Sequence, residues 1–408
     1  MYKNIFYCIL AVFFIAAASF KGIKETEEPA NKSGIAVKEG NDWDINQYAA
    51  GVAEDRIVVA KLFSRGDANW LQERIGWAKR LGANQFLVFP DQVMREGCAE
   101  VLNKSGIDLW LISPTFYHDD NRGTSESASA QLAALGREPK WAICDDGEIA
   151  QQQGSWLRMV CPNDQEYIDY RIEALKPAFR ACKVTGLSLD FIRYFLYWEG
   201  TRPYTNPQSL RNSCFCNDCV AEFANTSANI KTALDGVKAG GGSTVEIAAF
   251  IKKNYINQWT NYKCGKIDKT IEHFLTELRK EFPDLKSNIH AVPYTSNDHN
   301  GAIKSIVGQD FALLSKRVDQ ISLMTYNVMC ERPAQWLNDV TYDVAGLVNG
   351  RVPVVPTIQG NASGITNADY EAMITNAIKA PSSGIVIWQF ERLSEERIDI
   401  IDRVLNGK

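Results

Sequence analysis

Histidine is scarce in this chain: four residues in 408, and none in a His-Glu-x-x-His arrangement. That excludes a zinc site of the protease kind and leaves little material for a histidine-based nucleophilic triad. Basic blocks are missing as well. With 44 Lys and Arg against 49 Asp and Glu, the net charge is -5, and no cationic stretch offers the footprint that nucleic acid needs. No glycine-rich loop follows the first apolar strand pattern, which argues against a nucleotide-binding open sheet. Internal repeats are absent, and Gly240-Gly241-Gly242 is the one low-complexity stretch. A long apolar run occurs only near the start, from Ile5 to Ala18, and it is short for a membrane span.

That run follows Lys3 and ends in Ala16-Ala17-Ala18-Ser19, the basic, apolar and small-residue order of a secretory signal. The sequence therefore predicts a signal peptide over 1–19, a polar flexible linker over 20–50 and one domain over 51–408, exported to the periplasm or beyond. An uncleaved anchor is the alternative. Cys8 lies inside the run rather than where a lipoprotein would be cleaved.

Hydrophobic residues make up 45% and charged ones 23%, enough to build a large core. Short apolar strands at 57–63, 85–89, 108–113, 186–194, 288–294, 320–326, 353–358 and 384–390 alternate with helical patterns. The helices are expected near 68–81, 92–103 and 245–282, and along 168–179, where Pro177 should introduce a kink. Eight strands over about 350 residues predict a (β/α)8 barrel with long insertions after strands 3 and 4. An open doubly wound sheet is the runner-up.

In such a barrel the chemistry sits at the C-terminal ends of the strands. Those ends carry Lys61, Asp91, His118-Asp119-Asp120, Asp190-Arg193-Tyr194, His290, Tyr294, Tyr326-Asn327, Gln359 and Trp388-Gln389-Glu391. The strand interiors look apolar. Asp190 follows Leu187 and Leu189, so alternation aims it into the mouth. There it could serve as nucleophile or base at an anomeric carbon, or simply pair with Arg193. Hydrolysis asks for a second carboxyl group. Glu391 and Glu331 lead, followed by Asp298, Asp145 and Asp146, with Glu199 assigned to an aromatic wall of Tyr197 and Trp198. Lys61, Arg193, Tyr194, Trp198, His290, Tyr294, Tyr326, Asn327, Gln359 and Trp388 are the expected substrate-binding residues, with His273 structural. Aromatics, at 11%, suit stacking on sugar faces as well as a large core.

Ten cysteines less Cys8 leave nine, an odd number for an exported protein. Cys214-x-Cys216-x2-Cys219 places three thiols on a tight turn, suited to a metal that takes a fourth ligand from elsewhere; a pair of disulfides is the alternative. Cys98, Cys182 and Cys264 lie in helical patterns as core thiols.

The run Gly186-Leu187-Ser188-Leu189-Asp190-Phe191-Ile192-Arg193-Tyr194 resembles the Asp-Tyr-Ile-Arg-Tyr motif of family-10-like glycosyl hydrolase barrels, as does Cys161-Pro162-Asn163-Asp164 before the preceding helix. Residues 321–327 and 384–388 look like the sixth and eighth strands of glycoside hydrolase family 18, although that family's acid Glu falls on Ile192. The cysteine cluster resembles that of family 42 β-galactosidases. This likeness implies Cys161 as the fourth ligand of a structural zinc with Cys214, Cys216 and Cys219. Ile192 stands in the place of that family's acid too. Together the resemblances imply an exported glycoside hydrolase acting on an oligo- or polysaccharide, without an organic cofactor. A glycan-binding barrel that has lost catalysis is the alternative, and a zinc deacetylase is disfavoured by an all-cysteine site.

Overall fold

Each of the eight apolar runs forms a strand in the computed structural model, which describes residues 56–118, 135–152 and 157–407. The strands are β1 (Ile57–Lys61), β2 (Gln85–Val88), β3 (Asp108–Pro114), β4 (Gly186–Asp190), β5 (Lys286–Ala291), β6 (Gln320–Leu323), β7 (Val354–Gln359) and β8 (Gly384–Trp388). All neighbours pair in parallel and β8 returns to β1, closing a (β/α)8 barrel. The signal, the linker, Asp119 and Asp120 lie outside the described residues.

Strand alternation divides each run between two layers. Leu187 and Leu189 face the helices and join the large outer core, whereas Gly186, Ser188 and Asp190 follow the other face. Inside the barrel, Val59, Leu87, Trp110, Ile112, Val355 and Val386 form a compact apolar cluster on the β1–β3 and β7–β8 side. Gly186 makes room for it, since a Cβ there would meet the Trp110 ring at 2.3 Å. Gly384 allows β8 to close on β1, because its Cβ would fall 1.9 Å from the Ile57 carbonyl oxygen.

The β4–β6 side differs from the apolar interior that the sequence suggested. A polar thread climbs it. Gln85 Nε2 donates to Gln320 Oε1 (3.0 Å), Gln320 Nε2 to Ser322 Oγ (3.3 Å), and Ser322 Oγ to Asn288 Oδ1 (3.1 Å). Asn288 Nδ2 then donates to Ser188 Oγ (2.7 Å), which meets His290 Nε2 at 3.0 Å. Each bond is worth about 1 kcal/mol net, but a buried partner left alone costs about 1–3 kcal/mol, so the thread holds only while complete.

The helices follow the periodicity with two changes. The segment expected near 92–103 is two short helices, Pro90–Val93 and Cys98–Asn103. The long one expected over 245–282 is broken at Tyr255 into Thr244–Asn254 and Ile256–Arg279. The helix Gln165–Ala181 runs through Pro177, its first turn capped by Asp164. Both long insertions, after β3 and after β4, meet above the barrel, where Cys144 bridges to Ser213. Among the described residues no helix is long and apolar enough to cross a membrane.

Candidate active site

The mouth is built by the last inward position of each strand. Lys61 ends β1, and its Nζ lies 3.5 Å from Oδ2 of Asp190, which ends β4 on another side of the barrel. The Asp190 side chain is 15% exposed, enough for a ligand to reach it. Burial alone would raise its pKa, but the charge of Lys61 and the Phe191 N–H donated to Oδ1 at 2.8 Å hold it below the usual carboxylate value. Lys61 is itself lowered by burial, against the pull of Asp190. His290, fully buried beside this pair, is pushed down to about 3 by burial and by the Lys61 charge, so its ring is neutral. Its Nδ1 has no partner.

Arg193, which the sequence suggested as the partner of Asp190, takes a different place. Its Nη1 donates to the carbonyls of Leu196 (2.8 Å) and Tyr194 (3.3 Å), and its Nε is unpartnered. Burial lowers its pKa, with Glu199 and Asp190 pulling the other way. Glu199 sits on a 3-10 turn, Trp198–Gly200, beyond β4. Burial raises its carboxyl to about 7, and its Oε2 is buried without a partner. Aromatic rings complete the rim: Trp198 lies 5.6 Å from Tyr326, Tyr326 stacks on Trp388 at 4.5 Å, and Phe63 meets Trp388 edge-on at 5.9 Å. Phe63 and Trp388 are open to solvent on this rim, while Trp198 and Tyr326 are buried behind them.

Backbone strain marks the same face. Phe191 after β4, His299 after β5, Glu331 after β6 and Gln389 after β8 all have φ between 47° and 57°. Non-glycine residues held there cost about 1–3 kcal/mol each and gather at functional sites.

Other expected residues are placed elsewhere. Both oxygens of Glu391 accept backbone N–H groups, from Ser64 (3.0 Å) and Phe63 (3.1 Å), so this carboxylate fastens the loop after β1. Glu331 is an exposed partner of Arg202 at 2.8 Å. Asp298 accepts from Thr295 N and Oγ1, Asp145 pairs with Lys252, and Asp146 receives both ends of the Arg211 guanidinium. Tyr194 points away from Asp190, against Gly308 and under the Lys263 ammonium at 4.5 Å. Tyr294 is buried against His299. Gln359 Oε1 accepts from Met329 N, and Asn327 Nδ2 donates to Arg332 O. Asn327 and Glu331 line a cavity of about 280 Å³, another of about 720 Å³ lies between Gln208, Asn257 and Lys304, and Asp190 lines neither.

Above the mouth, Cys161, Cys214, Cys216 and Cys219 converge with all four sulfurs within 4.8 Å. Cys161 Sγ lies 3.4 Å from Cys216, 3.5 Å from Cys219 and 3.8 Å from Cys214. A tetrahedral ion with bonds of about 2.3 Å to sulfur spaces its ligands about 3.8 Å apart, so the group can hold a metal ion. Backbone N–H groups already point at the sulfurs, Ile143 to Cys214, Asn163 to Cys161 and Cys219 to Cys216. Such donors are the outer support that thiolate ligands need. Hydrogen bonds from the other three thiols push Cys216 well below the usual thiol value. The nine described cysteines carry no disulfide.

The barrel has the fold of solved glycosidases. It matches the glycoside hydrolase domain of PgaB (BpsB) from Bordetella bronchiseptica with a TM-score of 0.56 and 14% identity, over 86% of this chain and 99% of that one. It also matches a β-galactosidase from the psychrophilic Marinomonas ef1, with a TM-score of 0.53 and 9% identity. That match covers 86% of this chain but 59% of the galactosidase, so the chain spans less than two thirds of it. No family model and no curated protein matches the sequence.

Three features of the site escaped the sequence. The Lys61–Asp190 pair joins strands far apart in the chain, and nothing local announces it. The orphaned oxygen of Glu199 is a matter of burial, not of motif. The polar thread did leave a signal, since Ser188 and Asp190, Asn288 and His290, and Gln320 and Ser322 are polar at alternate positions of otherwise apolar strands.

Proposed function

We propose that this protein is a glycoside hydrolase that cleaves an oligo- or polysaccharide with Asp190 as its nucleophile or base. The observation that carries the reading is Asp190 itself, kept ionised by Lys61 at the C-terminal mouth of a closed barrel. A fixed negative charge there faces the positive charge that develops at an anomeric carbon. The Trp388 and Phe63 rings beside it offer flat apolar surfaces to a sugar, and the glycosidase fold supports the same chemistry. The Asp190-Phe191-Ile192-Arg193-Tyr194 run, similar to that of family-10-like barrels, agrees. The N-terminal signal pattern favours action outside the cytoplasm.

The cysteine cluster we assign to a structural zinc bound by Cys161, Cys214, Cys216 and Cys219. An ion with four thiolate ligands keeps no position for substrate, so its part is to join the two insertions that wall the mouth. The chemistry then belongs to the carboxylates.

Release of reducing ends from a panel of polysaccharides tests the proposal. Turnover by the wild type that disappears in Asp190→Asn, with the melting curve still cooperative, supports it. Unchanged turnover in that variant refutes it, and binding without any turnover indicates a glycan-binding barrel.

A further inference from the structure

We propose that Glu199 is the second carboxyl group of the site, the proton donor to the departing glycosidic oxygen. The inference rests on the hydrolase reading above and names the partner that Asp190 requires. It begins with elimination. Among the described residues, Glu391, Glu331, Asp298, Asp145 and Asp146 each engage at least one oxygen with a cation or a backbone N–H group. Glu199 Oε2 has no partner, although it is buried. A buried polar atom left alone costs about 1–3 kcal/mol, a penalty a folded protein tolerates most readily where a ligand will supply the missing contact.

Placement agrees. A circuit of contacts runs round the mouth: Asp190 to Lys61, Lys61 beside Trp388 in the β1–β8 register, Trp388 to Tyr326, and Tyr326 to Trp198, the neighbour of Glu199. It closes through Arg193, whose charge is felt by both Glu199 and Asp190. Tyr326 likewise feels both carboxyl groups. The two acids thus act on the same guanidinium and the same phenol, and Glu199 feels the charge of Asp190. The titratable and charged groups around Glu199 are Arg193, Asp190 and Tyr197 on its own run, Arg202, whose Nη1 donates to the Glu199 carbonyl at 3.1 Å, and Tyr326 and Cys330 across from it.

Their environments push the two apart, as acid and base roles demand. Asp190 is ionised through the neutral range, while Glu199, raised to about 7 by burial, keeps its proton up to that pH. As the bond from C1 to the glycosidic oxygen breaks, its electron pair stays on that oxygen and the Glu199 proton joins it. Asp190 forms the new bond to C1, or takes a proton from the water that forms it. In the first case water then breaks the C1–Asp190 bond and gives its proton to Glu199. In the second the proton taken by Asp190 returns to Glu199 through solvent. Either way one glycosidic bond and one water are consumed.

The experiment compares the wild type with Glu199→Gln, a substitution of the same shape, on phenyl and 2,4-dinitrophenyl glycosides of common hexoses and N-acetylhexosamines. A dinitrophenolate leaves without protonation and a phenolate does not. Glu199→Gln should lose on the order of 10²-fold or more on the phenyl series, keep most of its turnover in bond cleavage on the dinitrophenyl series, and lose the alkaline limb near pH 7. Equal losses on both series, or a retained limb, overturn the proposal while leaving the hydrolase reading intact. Absence of turnover by the wild type on both series and on the polysaccharide panel overturns both. A readout independent of substrate is infrared difference titration: a carboxylic-acid band that disappears around pH 7 in the wild type should be missing in Glu199→Gln, and its persistence there overturns the assignment.

Discussion

Lys61 and Asp190 form a 3.5 Å ion pair across the barrel mouth, with side chains 4% and 15% exposed. The pair keeps a charged carboxylate where an apolar interior would otherwise neutralise it. It also keeps Asp190 free of the tight bidentate clamp that an arginine would impose.

Removing the ammonium should therefore do two things. Lys61→Met leaves Asp190 buried without its cation and destabilises the protein by about 3–5 kcal/mol, read from urea unfolding. It also raises the pKa of Asp190, so the acid limb of the pH–activity profile moves to higher pH. Replacing both residues by apolar ones should restore much of the stability and none of the activity.

His290 makes stability depend on acid. The unfolded imidazole takes a proton below about 6.5, whereas the folded one resists until about 3. The unfolded state thus binds more protons throughout that window, and stability falls as pH falls through it. From pH 7 to pH 4 the contribution is about 3 kcal/mol. In His290→Gln this part of the pH slope should vanish, which denaturant midpoints measured across the range will show.

The polar thread should fail as a unit. Asn288→Leu removes the link between Ser322 and Ser188, taking one hydrogen bond from each buried hydroxyl while Gln320 and His290 remain their other partners. A loss of about 2 kcal/mol is expected from the two hydrogen bonds together. Ser188→Ala, nearer the mouth, should cost less in stability and more in the acid resistance of His290.

Metal analysis of the purified protein should give one zinc per chain. Cys216→Ser should abolish it and lower the melting temperature, while turnover per folded molecule changes little. Chelation should reproduce the loss of stability in the wild type and add nothing in the variant.

Much of this was legible beforehand, for definite reasons. Aliphatic runs bounded by turns spell the strands, and the period of two that buries Leu187 and Leu189 sends Asp190 inward. The spacing of Cys214, Cys216 and Cys219 suggested a metal by itself, but Cys161 came only through a family likeness, because its approach depends on how the two insertions fold together. Glu391 was misleading for a physical reason. It follows an aromatic strand end, yet the β1 loop folds back and takes both its oxygens. Glu199 was underrated because desolvation, which sets its acidity, belongs to the tertiary structure.

The thread inside the barrel also has a direction. From Gln85 to Ser188 every proton is donated towards the mouth, by Gln85, Gln320, Ser322 and Asn288 in turn. Ser188 accepts from Asn288 and meets His290 Nε2 at 3.0 Å, so its hydroxyl is the last link of the thread. Where the Ser188 proton is given to Nε2, the neutral ring carries its hydrogen on Nδ1. The Ser188 hydroxyl at the top of the thread and the tautomer of His290 therefore change together. With its hydrogen on Nδ1, His290 is a one-way group: it can offer a hydrogen bond at the mouth, and it cannot collect a proton there.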